Sequence, residues 1–93
     1  IPYLLKKVDK STCFVNLNTQ KPEYRLHSDM KFRYMKNDIV VITRMRHRFF
    51  FIKKASEYIE AYRISELHHP MFSTKAVYNS CVESGDDLII FTN

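Results

Sequence analysis

Seventeen consecutive residues, Asp38 to Lys54 (DIVVITRMRHRFFFIKK), contain neither Gly nor Pro and are rich in β-branched and aromatic side chains. Such side chains fit a pleated surface, so the run favours extended backbone. Ordinary strands are about 5 to 6 residues long, and a run of this length has to break. The polar stretch RMRHR is the natural place, which predicts Arg44, Arg46 and Arg48 clustered at a hairpin tip. IVVIT before it reads as a strand covered on both faces. FFFIKK after it reads as the returning strand, with two of its three Phe turned into the core.

Upstream, PEYRLHSD and MKFRYM alternate apolar and charged residues, predicting strands at 23–28 and 30–35, with KND at 36–38 as a turn. Downstream, KASE turns the chain. YIEAYRI then places Tyr58, Glu60, Tyr62 and Ile64 on one face and Ile59, Ala61 and Arg63 on the other. In MFSTKAVYNSCVES, Phe72, Ala76, Val77, Cys81 and Val82 recur at intervals of four, one, four and one, the spacing of a helix face. Pro70 suits the first turn of such a helix and Gly85 the position just past its end. LIIF follows as a short buried strand. The expected fold is α+β, an antiparallel six-stranded β-sheet with one α-helix packed across it, in a single domain over residues 1–93. No internal repeat or low-complexity segment is visible at this level.

Charge divides the chain unevenly. Residues 1–54 carry 13 Lys or Arg against 4 acids, and residues 55–93 carry 2 against 6. A basic part of that size attracts nucleic acid, an acidic protein or an anionic surface, and charge alone does not choose among them. Arg44, Arg46, Arg48, Lys53 and Lys54 form the candidate basic patch. Interleaved with Phe and Tyr, they would also suit a small β-rich nucleic-acid-binding domain, the alternative reading. The apolar runs are far shorter than the roughly 20 residues of a membrane-spanning helix, so no membrane association is expected.

Catalytic and metal chemistry find little to use. The single Gly excludes a glycine-rich phosphate loop. His27, His47, His68 and His69 have no nucleophile motif beside them and no shared ligand face. Asp86 and Asp87 read as a solvated turn pair. Cys13 and Cys81 stand 68 positions apart, without CxxC or zinc-finger spacing, and read as reduced thiols of an intracellular protein. Neither enzymatic activity nor a cofactor is expected of this domain.

The series YRLHSDMKFRYMKNDIVVI, FFFIKK, a turn, YIEAYRISELHHP and a helix resembles a polo box, the non-catalytic module of the polo-like serine/threonine kinases. The resemblance spans roughly Glu23 to Cys81, with LIIF after the helix most like the last (third) box of the Sak-type members, which act in centriole duplication. It implies a cytoplasmic, centriolar module that binds a coiled-coil scaffold protein and aids localisation or activation of the kinase, with homodimerisation open. It also implies a partner surface at Phe72, Val77, Tyr78, Cys81 and Val82. The chain has no Trp, so the phosphopeptide cleft of the mitotic kinases lacks one of its parts.

Overall fold

The computed structural model describes residues 3–47 and 55–93. The expected FFFIKK strand and Arg48, Lys53 and Lys54 of the basic patch lie outside the described residues. The chain divides into two compact units, Ile1–Met30 and Lys31–Asn93.

The first unit is a three-stranded antiparallel meander of β1 (Tyr3–Val8), β2 (Ser11–Asn16) and β3 (Lys21–Arg25). Asp9 and Lys10 join β1 to β2, both with positive φ (51° and 66°), the backbone of a tight hairpin whose twist matches its strands. Cys13 and Phe14 on β2 are buried, and Tyr3 meets Phe14 edge-on at 6.3 Å between ring centroids. Asn16 ends β2 with both polar atoms of its side chain engaged. Its Nδ2 donates to Glu23 Oε1 at 2.8 Å, and its Oδ1 accepts from the Asn18 amide at 2.8 Å.

The second unit holds a four-stranded antiparallel sheet in sequence order, β4 (Lys31–Lys36), β5 (Ile39–His47), β6 (Ala55–Arg63) and β7 (Phe72–Lys75). A separate two-stranded sheet follows, β8 (Tyr78–Ser84) with β9 (Asp87–Thr92). Registers such as Val41↔Ala61 and Ile42↔Glu60 put Val40, Ile42, Arg44, Glu60 and Tyr62 on one face. Val41, Thr43, Ile59 and Ala61 occupy the other. The hairpin β8–β9 packs on that second face. The Arg33 guanidinium lies 5.1 Å from the Tyr78 ring centroid, and the Lys36 ammonium donates to the Gly85 carbonyl.

The expected α+β fold is therefore corrected to an all-β one. Among the described residues every element is a strand, arranged in sheets of three, four and two. The segment expected to be helical is β7, a two-residue connection at Ala76 and Val77, and β8. Its helix-like spacing arises because Phe72 belongs to one strand, Ala76 and Val77 to the connection, and Cys81 and Val82 to opposite faces of another. Gly85 has φ 59° as a helix-ending glycine would, but uses it in the β8–β9 turn. Among the described residues of RMRHR, Arg44–His47, the expected break is not found. β5 continues to His47, which pairs with Ala55, and β6 already includes the Ala55–Glu57 part of the expected KASE turn. The strand at 30–35 and the turn at Asn37 and Asp38 are found within a residue of their expected places.

Candidate protein-binding surface

Arg44 and Arg46 are not at a tip. They lie in β5 on the face that carries Glu60, whose side chain is 0% exposed. Glu60 Oε1 pairs with Arg44 Nε at 2.9 Å and accepts from the Tyr62 hydroxyl at 2.7 Å. Its Oε2 accepts from Arg46 Nη2 at 3.0 Å and from Ser73 Oγ at 2.9 Å. Arg46 also lies over the Tyr58 ring, at 5.5 Å from its centroid. A buried carboxylate is tolerated only when paired and hydrogen-bonded, and here each oxygen has one arginine and one hydroxyl partner. The two arginines thus serve the interior of the sheet, and half of their charge is cancelled by Glu60.

The five residues expected as a partner surface are distributed over β7, the β7–β8 connection and both faces of β8. Phe72 is exposed on β7, Val77 is exposed in the connection, and Val82 is exposed on the outward face of the hairpin. Tyr78 is half-buried beneath Arg33, and Cys81 is half-buried on the strand that faces β4. Burial and the neighbouring Glu83 carboxylate push the Cys81 thiol up, which disfavours the reactive thiolate. Burial first, then the hydrogen bond to Glu83, raises the Tyr34 phenol beside it. Without the helix, nothing gathers these side chains onto a single face.

Grooves open among the described residues of the second unit, and two of them concern the hairpin β8–β9. One, of about 330 Å³, runs between β7 and β9 and is lined by Ile59, Phe72, Thr74, Leu88, Ile90 and Thr92. The other, of about 550 Å³, lies at the end of the sheet where both tight turns sit. There Ile39, Met71, Leu88 and Ile89 supply apolar walls, while Lys36, Asp38, Asp86 and Asp87 supply charge. Arg63 holds Asp38 at 3.1 Å and Lys36 is engaged by Gly85, so Asp86 and Asp87 dominate the rim. Sequence reasoning sets these two acids aside as a solvated turn. The apolar run that follows them, LIIF, is the signal that they border a wall as well as water.

Among the described residues no group of three His, Cys, Asp or Glu could hold a metal ion, and no helix is long and apolar enough to cross a membrane. Compared with protein families, curated proteins and solved structures, the chain matches none.

Proposed function

We infer that the chain is a non-catalytic protein-binding module that takes an extended segment carrying apolar and basic side chains in the groove at the turn end of the second unit. The lining of that groove carries the reading: apolar walls from Ile39, Met71, Leu88 and Ile89, with the exposed carboxylates of Asp86 and Asp87 at the rim. Burial of apolar surface supplies affinity in such a site, and the rim charge selects the sign of the ligand. The expectation of an acidic partner weakens, because Arg44 and Arg46 are committed to Glu60. A place in a polo-like kinase, with a coiled-coil centriolar scaffold as partner, rests on the sequence resemblance alone. The family's helix has no counterpart among the described residues.

The test is fluorescence anisotropy at about 0.15 M salt, where charges beyond roughly 8 Å are screened. The probes are a labelled peptide alternating Leu and Lys, a labelled coiled-coil peptide and a labelled oligonucleotide. The Leu-Lys peptide is expected to bind at about micromolar Kd, weakened by about tenfold, or 1.4 kcal/mol, in Asp86→Lys/Asp87→Lys and in Met71→Glu. Coiled-coil binding that ignores these substitutions would move the site elsewhere. Tight oligonucleotide binding with both peptides silent would restore the nucleic-acid reading.

A further inference from the structure

The turn-end groove fits a strand of particular spacing. On β9, Asp87 and Ile89 both line it, both are exposed, and they lie on one face of the strand, two residues or about 7 Å apart. Met71, 54% exposed, adds a flexible thioether to the same wall. A strand running antiparallel to β9 would complement this wall with a basic residue opposite Asp87 and, two positions earlier in its own sequence, an apolar residue opposite Ile89.

The chain carries that spacing itself, twice, in β1. Tyr3 and Val8 at its ends are half-buried, and Leu4, Leu5, Lys6 and Lys7 between them are all exposed. Successive side chains of a strand alternate, so Leu4 and Lys6 share one face and Leu5 and Lys7 the other. Each face thus presents a leucine and, two residues on, a lysine. The strand is held straight by pairing with β2 along its whole length, from Tyr3↔Asn16 to Val8↔Ser11, yet both leucines stay in water. They are apolar area that a partner can cover. Lys10, in the turn that follows, adds a third ammonium at the same end.

We propose that the partner taken by the turn-end groove is a second copy of this chain, whose β1 lays a Leu–Lys face across Met71 and Ile89 with its ammonium groups on Asp86 and Asp87. The inference rests on the proposed function, since it names the occupant of the same groove. Charge complementarity selects this occupant, lysines of one copy meeting carboxylates of the other, and also discourages an acidic strand from entering. A strand already fixed in its sheet loses little conformational freedom on docking, which favours it over a loose peptide of the same composition. The contact joins two different patches, so two copies close into a reciprocal pair or, where geometry prevents that, add head to tail.

The test is sedimentation velocity of the full chain over a concentration series, beside the anisotropy titration with the Leu-Lys peptide. The mass is expected to rise with concentration from the monomer to a dimer or larger, and to fall back at about 1 M salt, where the screening length shrinks to about 3 Å. Lys6→Glu/Lys7→Glu and Asp86→Lys/Asp87→Lys are each expected to stay monomeric. Their equimolar mixture is expected to associate again, because a Lys-bearing strand then meets an acidic groove and a Glu-bearing strand a basic one. Association that survives in either variant alone would overturn the proposal by moving the interface elsewhere. A wild type that stays monomeric while the Leu-Lys peptide binds would overturn it and leave the groove reading standing. A monomeric chain with a silent peptide would remove both.

Discussion

The Tyr62 hydroxyl donates to Glu60 Oε1 at 2.7 Å, two residues away on the same face of β6, while Arg44 Nη2 donates to that hydroxyl at 3.2 Å. The phenol is thus a relay between the buried acid and one of its two arginines. Removing it in Tyr62→Phe leaves the ring packed but takes a donor from a charged acceptor. The expected loss is about 1.5–3 kcal/mol, the range for hydrogen bonds to charged groups, read from the urea midpoint. Tyr62→Phe and Ser73→Ala act on different oxygens of one carboxylate, so their costs are expected to be non-additive in a double-mutant cycle.

Glu60→Gln should be the more damaging change. It leaves Arg44 and Arg46 against a neutral amide, and Arg44 is largely enclosed. Breaking a buried pair by removing one partner costs about 3–5 kcal/mol, against about 1 kcal/mol or less for Arg63→Gln at the exposed Asp38 bridge. Parallel denaturant titrations of the two variants check the contrast.

Burial first, then the hydrogen bond to Glu60, pushes the Tyr62 phenol up to about 12, with Arg44 pulling the other way. Its folded pKa therefore lies above the ordinary value of 10.0. Between the two, the unfolded chain has released the proton and the folded chain still holds it, so the unfolded state binds fewer protons and stability falls as pH rises. This contribution is complete below pH 10 and lost progressively as pH climbs toward 12. Urea midpoints of the wild type and Tyr62→Phe measured across that window should converge as pH increases.

Arg33 fastens the hairpin to the larger sheet. Its Nε donates to Thr43 Oγ1 at 2.9 Å while the guanidinium covers the Tyr78 ring. Arg33→Ala is expected to cost about 1–2 kcal/mol, the sum of a modest hydrogen bond and a partly shielded cation–π contact. Arg33→Lys should recover only part of this, because a point charge keeps neither the fork nor the stacking plane. Thermal unfolding followed by near-ultraviolet dichroism of the tyrosines reads both.

Gly85 sits at φ 59° with nothing within 4 Å of an added Cβ. A substitution there meets backbone strain but no collision. Gly85→Ala should cost about 1 kcal/mol, and Gly85→Asn less, since Asn visits the left-handed region more readily. Asn37 in the turn between β4 and β5 already shows that tolerance.

Strand alternation is legible in the sequence where one face is apolar and the other charged, as in MKFRYM and YIEAYRI. It is not legible where strands are short and exposed. β7 has four residues and β8 carries Val82 outward and Cys81 inward, so apolar residues fall on both faces and imitate a helical stripe. Branched and aromatic residues at Phe72, Thr74, Val77, Tyr78 and Val82 argue for strand, and that propensity outweighs the spacing. No element is expected before residue 23, although STCFVN is a strand with Cys13 and Phe14 in the core. The engagement of Arg44 and Arg46 is illegible for another reason. Linear charge counts do not reveal that Glu60, fourteen and sixteen positions from its arginines, lies across the ladder from them.

Glu60 reaches β5 through Arg44 and Arg46, its own strand through Tyr62, and β7 through Ser73. Strands such as Ile39–Thr43 present nearly the same oily face after a slip of two residues, so burial by itself distinguishes poorly between correct and shifted alignments. A shifted β5 or β7 would enclose the carboxylate with part of its cage missing, at a penalty of about 3–5 kcal/mol. The acid thus works as a key cut to one alignment of three strands, proofreading the sheet as it assembles.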